Sequence, residues 1–270
     1  MTANLISVPL NSTWANLAWG NGNDSITGRT FVDIDLFDMH DQIPGLHAKG
    51  HKVICYFSAG SWESWRPDAN KPEWSKVKIG KMDGWNESWL DIRQLSVLQD
   101  LMSSRMDLAA KYGCDGVEPD NTDCYDNKEC WSSMINPTVS KGSSVISAEI
   151  TYVKWLAEYA HSKGMVLGFK NSLTIIPDVV SVCDFAVNEE CFTYDECDAY
   201  APFTKVNKAV FSHTYKSAAQ SGSSICKNAI SNKIVSQYCS SLNGDLCDSN
   251  WTHCSANEVD SQKEQDFELI

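Results

Sequence analysis

The chain has 270 residues, of which 43% are hydrophobic and 21% charged, and its formal net charge at pH 7 is −13. An acidic chain is a poor partner for nucleic acid, which needs clustered Lys and Arg side chains. The sequence contains no apolar run of about 18 residues, the length needed to cross a membrane. The acidity would attract a cationic ligand. Many soluble proteins, however, are acidic simply because net charge keeps them dispersed.

Short apolar segments rich in β-branched and aromatic residues alternate with longer amphipathic segments. In chain order, we predict strands at Phe31–Phe37, Lys52–Ala59, Gly116–Glu118, Met165–Lys170, Phe185–Val187 and Ala209–Phe211. Helices are predicted at Val97–Tyr112 and Ala148–His161, each ending near a glycine, which is a common C-terminal signal. Trp14–Trp19 and Trp89–Ile92 are candidates for the remaining strands.

This alternation of strands and helices predicts parallel strands. An open doubly wound sheet would share the rhythm, but no G-x-G-x-x-G segment follows the first strand. Polar residues instead follow the C-terminal ends of most strands, as in a barrel with its active site at that face: Asp35, Tyr56, Ser58, Asp120, Asn121, Lys170, Asn171 and Glu189. We predict an α/β fold, a single (β/α)8 TIM-type barrel with extended loops at the C-terminal face.

The sequence shows no internal repeat and predicts one folded domain. We expect residues 1–254 to form the barrel, and residues 255–270, which are polar and acidic, to form a flexible tail. The segment Cys124–Ser147 is rich in Ser, Asn and Gly and is predicted to be a long loop over the barrel mouth. From about Ser217 the periodicity fades, so the final strand is the least defined part of the prediction.

The cysteine content indicates an oxidising compartment. The chain has 11 cysteines, and their spacing includes no C-x-x-C pair and does not resemble a zinc site. We therefore expect disulfide bonds and at least one unpaired thiol. N-glycosylation sequons occur at Asn11, Asn23, Asn86 and Asn250. We predict a secreted, extracellular glycoprotein, and because the first residues do not resemble a signal peptide, we expect that one has been removed.

Two acidic clusters are the candidates for chemistry. Glu118 and Asp120 lie two positions apart on one strand and share a face, and Glu189 ends a later strand. Glycoside hydrolysis needs two convergent carboxyls: one donates a proton to the leaving oxygen while the other attacks the sugar or activates water. Acidic residues at strand ends also cap helices or form ion pairs, but two such clusters flanked by aromatic residues favour catalysis.

Other nucleophiles have less support. Ser58 lacks a G-x-S-x-G elbow, and five of the six histidines lie in predicted helices, turns or the tail. Only His213 ends a strand, so we do not expect a serine-hydrolase triad. Lys170 would form a Schiff base only with a depressed pKa, and nearby carboxylates favour an ion pair that fixes a catalytic group. Arg66 is predicted to have a similar architectural role. Aromatic candidates for lining sugar subsites are Tyr56, Trp85 and Tyr125.

Seven sequence blocks, in order, carry a resemblance to a known family. They are VDIDLFD (Val32–Asp38), ICYFSAGSWESWRPDA (Ile54–Ala69), GWNESWLDIR (Gly84–Arg93), DGVEPDN (Asp115–Asn121), GFKN (Gly168–Asn171), DFAVNEECFTYDEC (Asp184–Cys197) and KAVF (Lys208–Phe211). Over roughly residues 14–216 the chain resembles the fungal and bacterial endo-α-1,4-polygalactosaminidases of glycoside hydrolase family 114.

The resemblance implies an endo-acting enzyme that cleaves α-1,4-galactosaminidic bonds in polygalactosamine or galactosaminogalactan, without a metal or organic cofactor. It implies Asp120 and Glu189 as the catalytic pair, which we assign as nucleophile and acid/base in a retaining mechanism. The substrate-binding residues that we expect are Asp35, Tyr56, Glu118, Asn121, Tyr125, Lys170, Asn171 and Trp85. The partner would be a cationic amino-sugar polysaccharide, and we expect the protein to be a monomer.

Two positions depart from the family pattern. Glu190 stands where the family usually has Gln, and Ser212–Tyr215 lacks the acidic residue that tends to precede the tyrosine. Loss of a cleft carboxylate would weaken binding of a cationic sugar. Two alternatives therefore stay open: an α-glycosidase on another amino-sugar or galactose polymer, and an inactive barrel that only binds glycan.

Overall fold

The computed structural model describes residues 5–18, 25–135, 137–215, 222–238, 242–243, 246–247 and 252–254. The strands are β1 (Trp14–Asn16), β2 (Phe31–Asp35), β3 (Lys52–Ser58), β4 (Ser61–Glu63), β5 (Lys78–Lys81), β6 (Glu87–Leu90), β7 (Gly116–Asp120), β8 (Val166–Lys170), β9 (Phe185–Glu189), β10 (Val210–Thr214), β11 (Val235–Tyr238), β12 (Leu242–Asn243), β13 (Leu246–Cys247) and β14 (Thr252–Cys254). The α-helices are α1 (Ile43–Ala48), α2 (Trp74–Val77), α3 (Leu95–Tyr112), α4 (Lys128–Trp131), α5 (Ile146–Ser162), α6 (Ile176–Val179), α7 (Cys191–Tyr194), α8 (Ala201–Lys205) and α9 (Gly222–Asn232). Short 3-10 helices lie at His40–Gln42, Gly142–Ser144, Leu173–Ile175 and Cys197–Tyr200.

Eight parallel strands form one sheet in the order β1-β2-β3-β7-β8-β9-β10-β11, and the antiparallel strand β14 pairs with β11. The sheet curls back on itself. The indole of Trp14 on β1 stacks on the ring of Phe211 on β10 with 4.5 Å between centroids, and Asn16 Nδ2 lies 3.1 Å from His213 Nε2 on the same strands. This curled parallel sheet with its helices confirms the predicted (β/α)8 TIM-type fold.

The amino-terminal half of the barrel interior is a packed apolar cluster. Alternate residues on each strand face inward, and the strands bring together Trp14, Phe31, Ile54, Val166, Phe185, Phe211 and Val235, all of them buried. Gly168 makes room for this packing, because a Cβ atom there would lie 2.5 Å from the ring of Phe185. The cluster therefore fills the barrel below the polar carboxyl ends of the strands.

A second apolar cluster lies between the sheet and the surrounding helices. The helix α3 contributes Leu98, Leu101 and Met102, whose spacing puts them on one face. It ends at Gly113, which has a φ of 91° and donates to Ala109 O; glycine adopts this left-handed conformation without steric cost. Both α3 and α5 confirm the predicted helices to within two residues at each end.

One predicted barrel strand is wrong. The segment predicted at Trp89–Ile92 overlaps β6, which pairs antiparallel with β4 and β5 in a separate sheet between β3 and α3. The chain turns back just after β3, where Leu90 N donates to Gly60 O at 2.9 Å. The eighth parallel strand is β11, in the region where the periodicity fades. The other predicted strands correspond to β1, β2, β3, β7, β8, β9 and β10.

The expected disulfide bonds are present. The pairs are Cys55–Cys114, Cys124–Cys130, Cys191–Cys197 and Cys226–Cys254. Cys183 is free and buried, whereas Cys239 and the side chain of Cys247 lie outside the described residues. The predicted loop Cys124–Ser147 belongs to the connection between β7 and α5, and it contains α4 and a short 3-10 helix.

The surface features predicted from sequence can be located in part. Asn11 and Asn86 are exposed sequon positions, and Asn23, Asn250 and the tail at 255–270 lie outside the described residues. None of the described helices is long and apolar enough to span a bilayer.

Candidate active site

The carboxyl ends of the barrel strands bring the predicted polar residues to one face. The strand register pairs Asp35 with Tyr56 and Ser58 with Asp120. Because β2, β3, β7, β8 and β9 are neighbours in the sheet, their carboxyl ends meet above the apolar interior, as in other barrels of this type.

Lys170, at the end of β8, lies between the two predicted catalytic carboxylates. Its Nζ atom is 3.2 Å from Asp120 Oδ1, 3.1 Å from Glu189 Oε2 and 3.8 Å from Glu118 Oε1, and its side chain is 1% exposed. Burial opposes the charge, but Asp120, Glu189 and Glu118 together raise the pKa of Lys170 above its ordinary value. The ammonium therefore stays charged, which favours the ion-paired interpretation over a Schiff base.

Asp120 is held by three donors. Its Oδ1 atom accepts the backbone N–H of Asn121 at 2.8 Å in addition to the lysine contact, and its Oδ2 atom accepts the hydroxyl of Tyr56 at 3.1 Å. Burial and the nearby Asp120 carboxylate raise the pKa of Tyr56 well above its usual range, so the phenol remains a donor. These contacts fix the carboxylate at the end of β7.

Glu189, at the end of β9, is also held at both oxygens. Its Oε1 atom accepts the hydroxyl of Tyr215 at 2.8 Å, and its Oε2 atom accepts Asn171 Nδ2 at 3.4 Å as well as the Lys170 ammonium. Burial alone would raise the pKa of Glu189, but Lys170, His213 and Tyr215 together lower it to about 2. The unliganded site therefore contains an ionised Glu189.

Two asparagines shape the strand ends. Asn121 and Asn171 adopt left-handed backbone conformations, with φ of 62° and 47°, which asparagine tolerates better than most residues. Asn171 Oδ1 accepts the backbone N–H of Glu189 at 2.9 Å, and Asn121 Nδ2 donates to Ser58 Oγ at 2.9 Å. The side chain of Asn171 thus fixes the backbone of Glu189, and that of Asn121 links the end of β3 to the residue after Asp120.

Two buried acids, Glu118 and Asp33, lie below the pair. Both are fully buried, and burial raises the pKa of Glu118 to about 7 against the opposing effect of Lys170. Burial, reinforced by the neighbouring Glu118, raises the pKa of Asp33 well above its usual range. Sequence analysis missed Asp33, although its position two residues before Asp35 in VDID places it on the same inward face.

Comparison with known proteins identifies the family of this chain. The sequence model of Glycoside-hydrolase family GH114 matches residues 2–258. The chain belongs to glycoside hydrolase family GH114. It is therefore a glycoside hydrolase, and the match spans the barrel and the disulfide-linked region that follows it.

The GH114 chain is similar in structure to solved proteins. The crystal structure of Ega3 from Aspergillus fumigatus, in complex with galactosamine, is 34% identical, has a TM-score of 0.74, and covers 93% of this chain and 100% of its own. The glycoside hydrolase domain of PelA from Pseudomonas aeruginosa is 13% identical, with a TM-score of 0.60 and coverage of 86% and 93%. The latter likeness shows the fold alone. No curated protein matches significantly.

Asp35 reaches the rim of the GH114 barrel but is engaged by an arginine. Arg66 Nη2 lies 2.7 Å from Asp35 Oδ2, and Asp35 Oδ1 accepts the backbone N–H groups of Phe37 and Asp38. Arg66 also binds Glu63 at 2.8 Å. These contacts connect β2 to the segment after β4, as expected for an architectural arginine.

The predicted aromatic residues differ in exposure. Trp85 is 50% exposed on the connection between β5 and β6, where its indole can contact a ligand. Tyr125 is 6% exposed, and Tyr56 is 7% exposed and donates to Asp120. Trp85 is therefore the best placed of the three to stack on a sugar ring.

A further carboxylate, Glu87 on β6, was missed by sequence analysis. Its carboxylate accepts the hydroxyl of Ser61, whose oxygen lies 2.6 Å from Ser58 Oγ at the end of β3. Burial raises the pKa of Glu87 to about 7, and the carboxylates of Glu63 and Asp120 act in the same direction. No sequence signal distinguished Glu87, because the small sheet brings it to the rim from outside the barrel.

Proposed function

We propose that this GH114 chain is an endo-acting hydrolase that cleaves α-1,4-galactosaminidic bonds in polygalactosamine or galactosaminogalactan. The observation that carries the proposal is the pair Asp120 and Glu189, joined by the buried ammonium of Lys170 at the barrel mouth. The likeness to the galactosamine-bound Ega3 over nearly the whole chain supports an amino-sugar substrate.

In the proposed reaction, Asp120 attacks the anomeric carbon while Glu189 donates a proton to the leaving oxygen. Water then attacks the glycosyl ester and gives a proton to Glu189, which restores both carboxyl groups. The two oxygens bound to Lys170, at 3.2 Å and 3.1 Å, can lie no farther apart than about 6.3 Å. That limit, on one oxygen of each group, is compatible with the separation of about 5–5.5 Å between carboxyl groups in retaining enzymes.

The proposed acid role requires Glu189 to gain a proton when substrate enters. Lys170 and Tyr215 keep Glu189 ionised in the unliganded site. We infer that the bound sugar separates Glu189 from Lys170, which remains with Asp120. Loss of that contact raises the pKa of Glu189 toward the value that a general acid needs.

A cationic polymer suits the acidity of the chain. The chain carries a net charge of −13, and a negative cleft raises the local concentration of a positively charged substrate. We propose that Tyr56, Asn121 and Asn171 hold the catalytic pair in place around the sugar, and that Trp85 stacks on a neighbouring unit. Other predicted binding residues act from buried positions in this scheme: Asp35, Glu118, Tyr125 and Lys170.

We also propose that the protein is a secreted, monomeric glycoprotein that works without a cofactor. The disulfide bonds support an oxidising compartment. The exposed positions of Asn11 and Asn86 leave both asparagines accessible for glycosylation.

Product release from α-1,4-polygalactosamine tests the proposal, with the fully N-acetylated polymer and an α-galactan run alongside. We expect short oligosaccharides from the deacetylated polymer, and a loss of about 10³-fold or more in Asp120→Asn. Release from another polymer alone would replace the proposed substrate. Binding without cleavage of any polymer would favour the glycan-binding alternative.

Azide separates the two catalytic roles. In Asp120→Gly, azide can replace the nucleophile and give a glycosyl azide of inverted configuration. In Glu189→Gly, azide intercepts the covalent intermediate and gives the retained configuration. The opposite pattern would exchange the assigned roles and leave the pair intact.

A further inference from the structure

Tyr215 follows the last residue of β10 and reaches back to Glu189. The β9–β10 ladder ends at the pair Glu189 and His213, so Tyr215, two residues after His213, lies past the end of that ladder. Its hydroxyl nevertheless donates to Glu189 Oε1 at 2.8 Å. The β10–β11 ladder holds the preceding residue, Thr214, and a contact to the main chain of Tyr215 itself helps to keep the phenol against the carboxylate.

Glu190 supplies that contact. It adopts a left-handed conformation with a φ of 66°, and its own N–H donates to His213 O at 2.8 Å. Its Oε1 atom accepts the backbone N–H of Tyr215, and its Oε2 atom accepts the hydroxyl of Thr193. The side chain therefore joins the start of α7 to the residue after β10.

We propose that Glu190 is a positioning residue for the candidate acid/base: it fixes the main chain of Tyr215 so that the phenol binds Glu189. This inference rests on the proposed function, in which Glu189 transfers the proton. Glu190 does not contact the reacting atoms in this scheme. It acts through Tyr215 and determines where one of the two Glu189 oxygens lies.

The phenol is well suited to this task. Burial and the adjacent Glu189 raise the pKa of Tyr215 well above its usual range, so it stays a neutral donor. A hydrogen bond to the charged form of a carboxylate stabilises that form, which is the form of Glu189 that accepts a proton from water in the second step. The titratable and charged groups that surround Glu189 from the packed elements are Glu118, Asp120, Lys170, Glu190, His213 and Tyr215.

The family pattern has glutamine at this position, and substitutions of Glu190 can distinguish the effect of side-chain length from that of charge. A Gln side chain keeps the length of Glu190, its carbonyl can accept the Tyr215 N–H, and its amide can donate to Thr193 Oγ1. An Asp side chain keeps the charge but is one methylene shorter. If reach matters, Glu190→Gln is mild and Glu190→Asp is impaired; if charge matters, the order is reversed.

The experiment compares Glu190→Asp, Glu190→Gln, Tyr215→Phe and the double variant Glu190→Asp/Tyr215→Phe on α-1,4-polygalactosamine. We expect Glu190→Asp and Tyr215→Phe each to lower kcat about tenfold with little change in KM, less than the 10²–10⁴-fold supplied by a general acid or base. The double variant should be no worse than Tyr215→Phe, and Glu190→Gln should stay within about twofold of the wild type. Thermal denaturation of each variant accounts for any loss of folded protein.

A spectroscopic arm tests the contact without turnover. In protein labelled with ¹³C at tyrosine Cζ, the Tyr215 resonance is the one that Tyr215→Phe removes. Glu190→Asp should move it toward the shift of free tyrosine, and Glu190→Gln should not. Losses that multiply in the double variant, or equal impairment by Gln and Asp, would overturn the proposal. If the wild type releases no product, the substrate proposal fails while this resonance still decides the role of Glu190.

Discussion

The two ends of the barrel interior are built from the same strands but differ in chemistry. At the amino end, Phe211 stacks on Trp14 and packs against Phe185 in an apolar cluster. At the carboxyl end, the same β9 presents Glu189, and β8 presents Lys170 in contact with carboxylates. A few residues along a strand therefore separate packing from charge.

The difference shows how stability and reactivity are divided along each strand. The aromatic end gains free energy by removing apolar surface from water. The charged end holds a lysine and several acids away from water, which is costly unless each charge is paired. Changes at the two ends should therefore have separable effects.

Among the changes that compare the two ends, removing the central cation should have the largest effect. Lys170→Met would leave Asp120, Glu189 and Glu118 without their shared ammonium, and we expect a fall in kcat/KM of at least about 10²-fold with a loss of about 3–5 kcal/mol in unfolding free energy. Lys208→Met is the control, because among the described residues Lys208 donates to the carbonyls of Val180 and Cys183, near the amino end. Activity in Lys170→Met within tenfold of the wild type would contradict this account.

The apolar end can be altered without touching the chemistry. Gly168→Ala would place a methyl group against the ring of Phe185, and we expect a loss of about 1–3 kcal/mol in unfolding free energy, measured by urea denaturation. Gly45→Ala, in α1 with nothing within 4 Å of the added atom, should instead gain about 0.5–1 kcal/mol. Equal changes in unfolding free energy for the two substitutions would show that contact with the ring of Phe185 does not determine the effect of Gly168→Ala.

The buried acids below the pair should make stability depend on pH. Glu118 has a folded-state pKa of about 7, so the folded protein binds more protons than the unfolded chain between about pH 4.5 and 7. Stability should therefore fall as pH rises through that window. Glu189, with its lowered pKa, acts in the opposite direction between about pH 2 and 4.5. In Glu118→Gln, denaturation curves should show a shallower fall, and an unchanged slope would assign the effect to other buried acids such as Asp123.

A smaller effect is expected from the rim carboxylate outside the barrel. Glu87→Gln removes a charge near Asp120, and at about pH 7 and low salt, where the carboxylate and the sugar amines are both partly ionised, we expect KM for the deacetylated polymer to rise about twofold. The N-acetylated polymer should show no change. Glu158→Gln, on the exposed side of α5, serves as the control. A rise in KM that persists at 1 M salt would argue against a charge effect.

Much of the site could be predicted because strand alternation is a local property. Asp35, Tyr56, Asp120, Lys170 and Glu189 were predicted as strand-end residues, and the fold brings all of them to one face. What each side chain contacts could not be predicted. The engagement of Asp35 by Arg66, for example, depends on the path of the chain after β4.

The errors have a common physical cause, which is long-range pairing. The pattern of β6 is typical of a buried strand, but its partners are β4 and β5 rather than a barrel strand. Conversely, β11 reads Val-Ser-Gln-Tyr, and so short and polar a segment gives a weak signal. Its place beside β10 follows from sheet register, which no local pattern contains.

The strand β14 covers the edge of β11, the last parallel strand of the sheet. It runs antiparallel to β11, and the Cys226–Cys254 bond attaches its last residue to α9. An uncovered edge strand offers free backbone donors and acceptors to other chains and is a common origin of aggregation. The disulfide therefore adds a covalent attachment to the backbone pairing that keeps β14 beside β11, and reduction would leave that edge covered by the pairing alone.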